Sequence, residues 1–298
     1  MTALSQSEVK RKKPLVSVVI CVRNGQKTVG GCLESLLNQT FRNYEIIIVD
    51  DASNDRTVEI ISGFKDQRIK CFKNKQWLNV AKSRNRGLKH ARGKYSFFTD
   101  ADCTVFKDWI EQGLSCFTDD CVGVEGRIIY VSEKYQPTYS DQVLENRTGG
   151  QFMTGNVAYR KDVIEAVGGL NEKMRYNSDR DLGLKIIKHG RMCYNKNMIA
   201  VHPQGTLTPD RLISTATHVE DRVYLFRRFG DKGLISWRIF KPFSLAKIFF
   251  PGLILASLFF RKFRKKEDFD LLPYTYVYAV LERLYFWKAC ARARVFLI

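Results

Sequence analysis

The sequence predicts an α/β fold with a mostly parallel sheet, followed by a helical, basic C-terminal region. Strand-like segments alternate with segments of helical periodicity through roughly the first third of the chain. Polar clusters follow three of these strands. Residues 222–298 carry 16 Lys and Arg against 5 Asp and Glu, so they supply most of the net charge of +18. Alternating strands and helices form right-handed βαβ units, whose strands run parallel.

Short runs rich in β-branched and aromatic residues predict the strands. They are Val16–Val22, Tyr44–Val49, Ile69–Phe72 and Tyr95–Thr99. Apolar residues that recur on one helical face predict a helix after the first strand. They are Val29, Cys32, Leu33, Leu36 and Leu37. Two further helices are predicted at Thr57–Phe64 and Asn79–His90, and a later one begins near Asp179.

The polar clusters at the strand ends are the first candidate site, because ligands of such sheets bind beyond the carboxyl ends of the strands. Asp100 and Asp102 directly follow the fourth strand, and residues i and i+2 of an extended chain point the same way. Two carboxylates on one side suit a divalent cation such as Mg²⁺ or Mn²⁺. The alternative is a solvated acidic turn.

Asp51 and Arg84 are candidates for contacts with a nucleotide. Asp51 ends the second strand, where its carboxylate can accept hydrogen bonds from a base or a ribose. A tight turn or the start of the next helix explains Asp51 equally well. Arg84 lies on the helix before the fourth strand and can meet a phosphate, although a solvated helix face is the simpler explanation.

A second acidic pair, Asp179 and Asp181, lies in the first turn of the later helix. A carboxylate there can act as a general base, or it can simply compensate the helix dipole. His202 follows the strand-like run Met198–Val201 and is a candidate third metal ligand, although a lone His is also often structural.

Together these segments resemble the inverting glycosyltransferase family 2, which has the GT-A fold. The resemblance covers about residues 14–205 and rests on motifs that occur in the family's order. They are Val16–Asn24, Ile47–Thr57, Ala81–Gly87, Ala91–Asp102, Thr154–Arg160, Val167–Asn171 and Ser178–Leu182.

The resemblance implies roles on the donor side of the site. Asp51 would bind the nucleobase, Asp100 would approach the ribose and Asp102 would hold Mn²⁺ or Mg²⁺. His202 lies where many members place a metal-contacting His. Arg23 stands where an aromatic residue is common, which affects stacking on the base or the sugar.

The resemblance also implies roles on the acceptor side. Asp179 matches the catalytic base, and Gly155 and Asn156 fall in the loop that lines this side. Ser178 stands where the family usually has Glu, which bears on acceptor positioning. The Gln-x-x-Arg-Trp motif of processive members does not follow the base, so transfer of a single sugar is favoured.

The expected reaction is metal-dependent transfer of one sugar, with inversion, from a nucleoside diphosphate sugar to a lipid-linked or membrane-proximal glycan. A polyprenyl phosphate is the alternative acceptor. A non-catalytic membrane-binding or nucleic-acid-binding protein is a rival, but strand-end carboxylates repel nucleic acid, so no nucleic-acid partner is expected. A nucleotidyltransferase is a second rival, although no Gly-rich Lys motif lies near the N-terminus.

The 298 residues suffice for one large domain and an appendage. We expect a basic tail at 1–13, the GT-A domain at 14–215 and a helical C-terminal region at 216–298. The apolar run Phe243–Phe260 is marginal for spanning a bilayer and precedes six residues that include five cations. It predicts a peripheral or monotopic protein on the cytoplasmic face of an anionic membrane. A helix packed on the catalytic domain is the alternative.

Overall fold

The computed structural model describes residues 13–130, 138–142, 144–231 and 263–294. The basic N-terminal residues 1–12 and the apolar run at 243–260 lie outside the described residues.

The first half of the chain forms four parallel strands in the spatial order β3-β2-β1-β4. These are β1 (Val16–Val22), β2 (Tyr44–Asp50), β3 (Ile69–Lys73) and β4 (Tyr95–Phe98). The intervening helices are α1 (Val29–Leu37), α2 (Thr57–Gly63) and α3 (Val80–His90). The predicted strands and helices of this half therefore agree with the structure to within a residue or two at their ends.

The second half adds strands that make the sheet mixed rather than mostly parallel. They are β5 (Thr104–Val105), β6 (Cys121–Tyr130), β8 (Val157–Arg160) and β9 (Arg191–His202). The sheet continues as β4-β8-β6-β9-β5, in which β6 and β9 are parallel and the other pairs are antiparallel. The sequence predicted a mostly parallel sheet, but β8 enters the sheet between β4 and β6 in the opposite direction.

Two apolar clusters cover the two faces of this sheet. Helices α1 and α4 (Trp109–Leu114) pack on one face, where Trp109 is fully buried. Helices α3, α5 (Lys161–Ala166) and α6 (Ser178–Ile186) cover the other face, where Tyr159 is fully buried. The sheet is therefore the middle layer of three, and the polar residues at the ends of its strands lie at the edge of this unit.

Short and long helices follow the sheet. They are α7 (Pro209–Ser214), α8 (His218–Phe229), α9 (Lys266–Asp270) and α10 (Leu272–Ala293). A small cluster formed by Val219, Val223, Phe286 and Cys290 joins α8 to α10. No helix within the described residues is both long and apolar enough to cross a bilayer.

A buried carboxylate fastens the C-terminal helices to the rest of the chain. Asp268 on α9 accepts hydrogen bonds from the Thr138 hydroxyl at 2.9 Å and from the Ser140 amide at 2.7 Å. It also accepts from the amides of Arg264 and Lys265, both at 2.7 Å. Ser140 lies just before β7 (Asp141–Gln142), which pairs with β10 (Gly205–Thr206) in a second, two-stranded sheet. These hydrogen bonds hold the pKa of Asp268 well below its usual range.

Candidate active site

A cavity of about 700 Å³ opens at the carboxyl ends of β1 and β4. Its walls include Arg23, Asn24, Arg84, Asp100 and Asp102. The loop after β1 is tied to the loop after β2, because the Asn24 amide donates to the Ser53 hydroxyl at 2.9 Å and the Asn54 amide donates to the Asn24 side chain at 3.0 Å. The parallel arrangement thus brings two of the three predicted polar clusters, those after β1 and β4, to one cavity.

Asp51 lies at this end of the sheet but is buried, at 3% exposure. One carboxylate oxygen accepts from the Asn74 side chain at 2.7 Å and from the Leu78 amide at 2.9 Å, and the other accepts from the Asn79 amide at 3.2 Å. Asp51 therefore shapes the loop that leads into α3. Its expected contact with a nucleobase stays a prediction.

Arg84 and Asp100 form an ion pair at the inner wall of the cavity. The Arg84 Nη2 donates to Asp100 Oδ1 at 2.6 Å, and Arg84 is largely buried on α3. Asn79 fixes the start of α3, because its side chain accepts from the Lys82 amide at 3.0 Å. Arg84 thus lies beside the strand-end carboxylates, as expected for a donor-side residue.

Asp100, Asp102 and His202 converge with Cys103, and their ligand atoms lie within 4.8 Å of one another. His202 Nε2 lies 3.7 Å from Asp102 Oδ2. The His202 Nδ1 lies 2.7 Å from the carbonyl oxygen of Pro203. A carbonyl can only accept, so Nδ1 donates to it, and Nε2 is the ring nitrogen that faces Asp102.

This donor set fits a hard divalent cation. Burial raises the pKa of the Asp102 carboxyl. The electrostatic effect of His202 opposes this rise, and that of Asp100 adds to it. A cation held between the carboxylates would offset this cost. Burial, Asp100 and Asp102 all raise the pKa of the Cys103 thiol, so the sulfur stays protonated. Two carboxylates and an imidazole nitrogen remain, a set that suits Mn²⁺ or Mg²⁺.

A second cavity of about 590 Å³ adjoins the first and shares Arg84 and Asp100 with it. Asp179 lies in its wall, on the first turn of α6. Its carboxylate accepts from the Arg180 amide at 2.8 Å. Burial raises the pKa of Asp179 although Arg84 opposes this effect. A carboxylate with a raised pKa beside an open cavity can accept a proton from a bound hydroxyl.

Besides Asp179, we expected Gly155, Asn156 and Asp181 on the acceptor side, and of these three the structure brings Gly155 to this cavity. Gly155 lines it, and a Cβ added there would lie 3.2 Å from Asp100 Oδ2. Asn156 is fully buried and accepts from Trp109 Nε1 at 2.7 Å. It donates to the carbonyl oxygens of Arg127 at 2.8 Å and Met198 at 2.7 Å, so all its contacts are internal.

Asp181 also lies away from the cavity. It is fully buried and its Oδ2 lies 2.9 Å from Lys185 Nζ. Residues two apart on a helix point to different sides, so α6 turns Asp179 to the cavity and Asp181 to the interior. The structure therefore does not place Asn156 and Asp181 on the acceptor side.

Three cavity residues were not predicted from the sequence. Arg175, Arg211 and His218 line the second cavity from the loop before α6, from α7 and from the start of α8. Arg175 is far from the other two in the chain, and none of the three belongs to a quoted motif. No spacing pattern could have linked them, because packing of α7 and α8 brings them together.

The comparisons with known proteins agree with this geometry. The family model described as glycosyl transferase family 2 matches residues 17–168. The Escherichia coli UDP-Glc:alpha-D-GlcNAc-diphosphoundecaprenol beta-1,3-glucosyltransferase WfaP is 31% identical over 188 residues, which are 62% of this chain and 75% of that protein. Glycosyltransferase AglE of Haloferax volcanii is 31% identical over 52% of this chain and 55% of its own length.

Solved structures show the same fold at low sequence identity. TarS residues 1–349 of S. aureus with UDP-GlcNAc superposes with a TM-score of 0.58 and 17% identity, over 95% of this chain and 93% of that one. Mannosyltransferase PcManGT from Pyrobaculum calidifontis, in complex with GDP-Man and Mn²⁺, gives a TM-score of 0.61 and 15% identity, over 95% and 88%. The α/β fold is GT-A-like. The match of the family model over half of the chain shows that this enzyme is a glycosyltransferase and belongs to glycosyltransferase family 2.

Proposed function

We propose that this enzyme transfers a single sugar, with inversion, from a nucleoside diphosphate sugar to a hydroxyl of a lipid-linked or membrane-proximal glycan. One observation carries the proposal. Asp179 lines the second cavity, and the Arg84–Asp100 pair lies in the wall that both cavities share. A donor in the first cavity and an acceptor in the second would therefore meet beside these three side chains.

The donor would be held by the residues at the strand ends. Asp51 would contact the base, Asp100 the ribose and Arg84 the diphosphate, while Asp102 and His202 would hold Mn²⁺ or Mg²⁺. A bound divalent cation would offset the negative charge that develops on the departing diphosphate. Asp179 would accept the proton of the acceptor hydroxyl, which then attacks the anomeric carbon from the opposite face.

Two observations favour a lipid-linked glycan as the acceptor. The E. coli relative is named for a diphosphoundecaprenol-linked acceptor and a UDP-Glc donor. A base with a raised pKa suits a hydroxyl acceptor, whereas the alternative acceptor, a polyprenyl phosphate, is already ionised and needs no base.

We also propose that residues 14–215 are the catalytic domain and that 216–298 bind the cytoplasmic face of an anionic membrane. Exposed apolar residues on α10 support this location: Tyr274, Val277, Leu284 and Trp287 are 39–53% exposed. Lys288 and Arg292 lie on the same helix, where they can meet anionic headgroups.

A donor screen tests the proposed function. Calorimetry with UDP-glucose, UDP-GlcNAc and GDP-mannose, each with and without Mn²⁺, should give one donor whose binding needs the cation. Transfer of that sugar to decyl-diphospho-GlcNAc is then followed by mass spectrometry, and the anomeric configuration is read by NMR. A chain that binds no nucleotide sugar would contradict the proposal. Membrane binding without any transfer would favour the non-catalytic alternative.

A further inference from the structure

The second cavity, here called the acceptor cavity, is rich in arginine. Four arginines line it: Arg84, Arg175, Arg180 and Arg211. Two of them are neutralised by carboxylates. Arg84 pairs with Asp100 at 2.6 Å, and Arg180 makes a bidentate pair with Asp231 at 2.6 and 2.9 Å.

The other two arginines, Arg175 and Arg211, are exposed and make no ion pair with any described residue. Among the other exposed arginines, Arg23 and Arg227 also make no ion pair with a described residue, whereas others pair with a nearby carboxylate. Examples are Arg56 with Glu59, Arg147 with Glu145 and Arg191 with Asp120. Neither guanidinium is therefore paired directly with a carboxylate among the described residues, although Asp179 lies in the same cavity wall.

Two polar atoms of the same cavity also lack partners. Asn177 Nδ2 and His218 Nε2 are shielded from solvent and make no hydrogen bond with the described residues. Burial and the charges of Arg222 and Arg175 lower the pKa of His218 to about 4, so the ring is neutral at neutral pH and can donate one N–H. Asn177 precedes the first turn of α6, and the start of a helix favours an anion. These features favour a ligand with several oxygen atoms that can accept hydrogen bonds.

We propose that the acceptor cavity binds the diphosphate of a lipid-linked sugar acceptor through Arg175 and Arg211, with hydrogen bonds from Asn177 and His218. This inference rests on the proposed function and deepens it, because it names the charged group that recognises the acceptor. Guanidinium groups match phosphate oxygens in pairs. Neither arginine lines the first cavity, which favours the diphosphate of the acceptor over that of the donor as their ligand.

Calorimetry on the full chain tests the inference with three probes: decyl-diphospho-GlcNAc, the uncharged decyl GlcNAc glycoside and inorganic pyrophosphate. The variants are Arg175→Gln, Arg211→Gln and the double substitution. Arg191→Gln is the matched control, because it removes the same charge from an exposed ion pair at the far end of β9. A lost charge-assisted hydrogen bond should weaken binding of the diphospho-sugar by about tenfold for each arginine. Binding of UDP should change less than about twofold.

The control should behave as the unchanged protein. Equal affinity for the charged and uncharged decyl probes would overturn the inference. So would a matching loss of UDP affinity in the variants, since the arginines would then serve the donor. Pyrophosphate that binds as tightly as the diphospho-sugar would overturn the lipid-linked source. If the arginine-dependent binding is found but no sugar is transferred, the proposed function fails and this inference stands.

Discussion

The guanidinium of Arg84 lies 2.6 Å from the carboxylate of Asp100, in the wall between the two cavities. Arg84 also lowers the pKa of Asp179, while Asp100 raises it. The same ion pair therefore touches the donor side and tunes the proposed base on the acceptor side. A change at either residue should alter both donor affinity and turnover.

Asp102→Asn should remove the cation-dependent part of donor affinity and leave the fold intact. Asp102 is one of three candidate oxygen or nitrogen ligands in the cluster, and loss of one should weaken binding of the donor with Mn²⁺ by about 100-fold. Calorimetry with and without Mn²⁺ measures the effect. Asp119→Asn, an exposed carboxylate outside both cavities, is the control. Full Mn²⁺-dependent affinity in Asp102→Asn would remove Asp102 from the site.

Asp179→Asn should bind the donor normally and lose about 10²- to 10⁴-fold in kcat, because an amide cannot accept the proton. The pH profile supplies a second check. The raised pKa of Asp179 means that activity falls with decreasing pH while the pH is still above the ordinary value of 3.8. Steady-state kinetics over a pH series measure both effects. A variant with normal turnover would point to an acceptor that needs no base.

Asp221→Asn should stabilise the protein at neutral pH. Burial, Glu220 and Asp181 raise the pKa of Asp221 to about 6, against an ordinary value of 3.8. The folded protein therefore favours the protonated carboxyl, and stability is lost as pH rises through this range. An amide can still accept from the Tyr176 amide, which lies 2.7 Å from Asp221 Oδ2.

One unit of pKa shift is worth about 1.4 kcal/mol, and solvent screening reduces it, so we expect a gain of about 1–2 kcal/mol at pH 7.5. Urea unfolding at pH 7.5 and pH 4 measures the difference. The gain should shrink at pH 4, where Asp221 is already protonated. A gain of the same size at both values would mean that charge is not its cause.

Asn156→Ala should destabilise the fold by about 3 kcal/mol, because it leaves the Trp109 indole and two buried carbonyls without a partner. Asn197→Ala, at an exposed position on β9, should change stability by less than about 0.5 kcal/mol. Chemical denaturation compares the two. If Asn156→Ala keeps its stability but loses acceptor affinity, the residue belongs to the acceptor side after all.

Local patterns in the sequence were sufficient to predict the strands and helices from β1 to β4. The run Val16–Val22, which is apolar except for Ser17, is β1 without a change in its bounds, since a strand buried on both faces is made mainly of apolar side chains. The predicted cluster of Asp100, Asp102 and His202 also lies within one small region.

Features that depend on tertiary packing could not be predicted in this way. The direction of β8 is set by its antiparallel pairing with β4 and β6, which local periodicity does not reveal. The internal position of Asn156 depends on contacts with α4 and β9. Arg175 and Arg211 meet only because α7 packs beside the loop before α6.

The two hydrogen bonds that Asp268 accepts from Thr138 and Ser140 link the C-terminal region to the proposed catalytic domain. A shift of α9 would pull on Ser140 and on β7, and Leu144, just beyond that strand, lines the acceptor cavity. We therefore expect that docking of α10 on a surface would shift the residues that line the acceptor cavity. A chain shortened before residue 263 would lose both α10 and the hydrogen bonds from Asp268 to Thr138 and Ser140. Substitutions at the exposed residues Leu284 and Trp287 would change surface binding and keep these hydrogen bonds, so they separate surface binding from catalysis better than a truncation does.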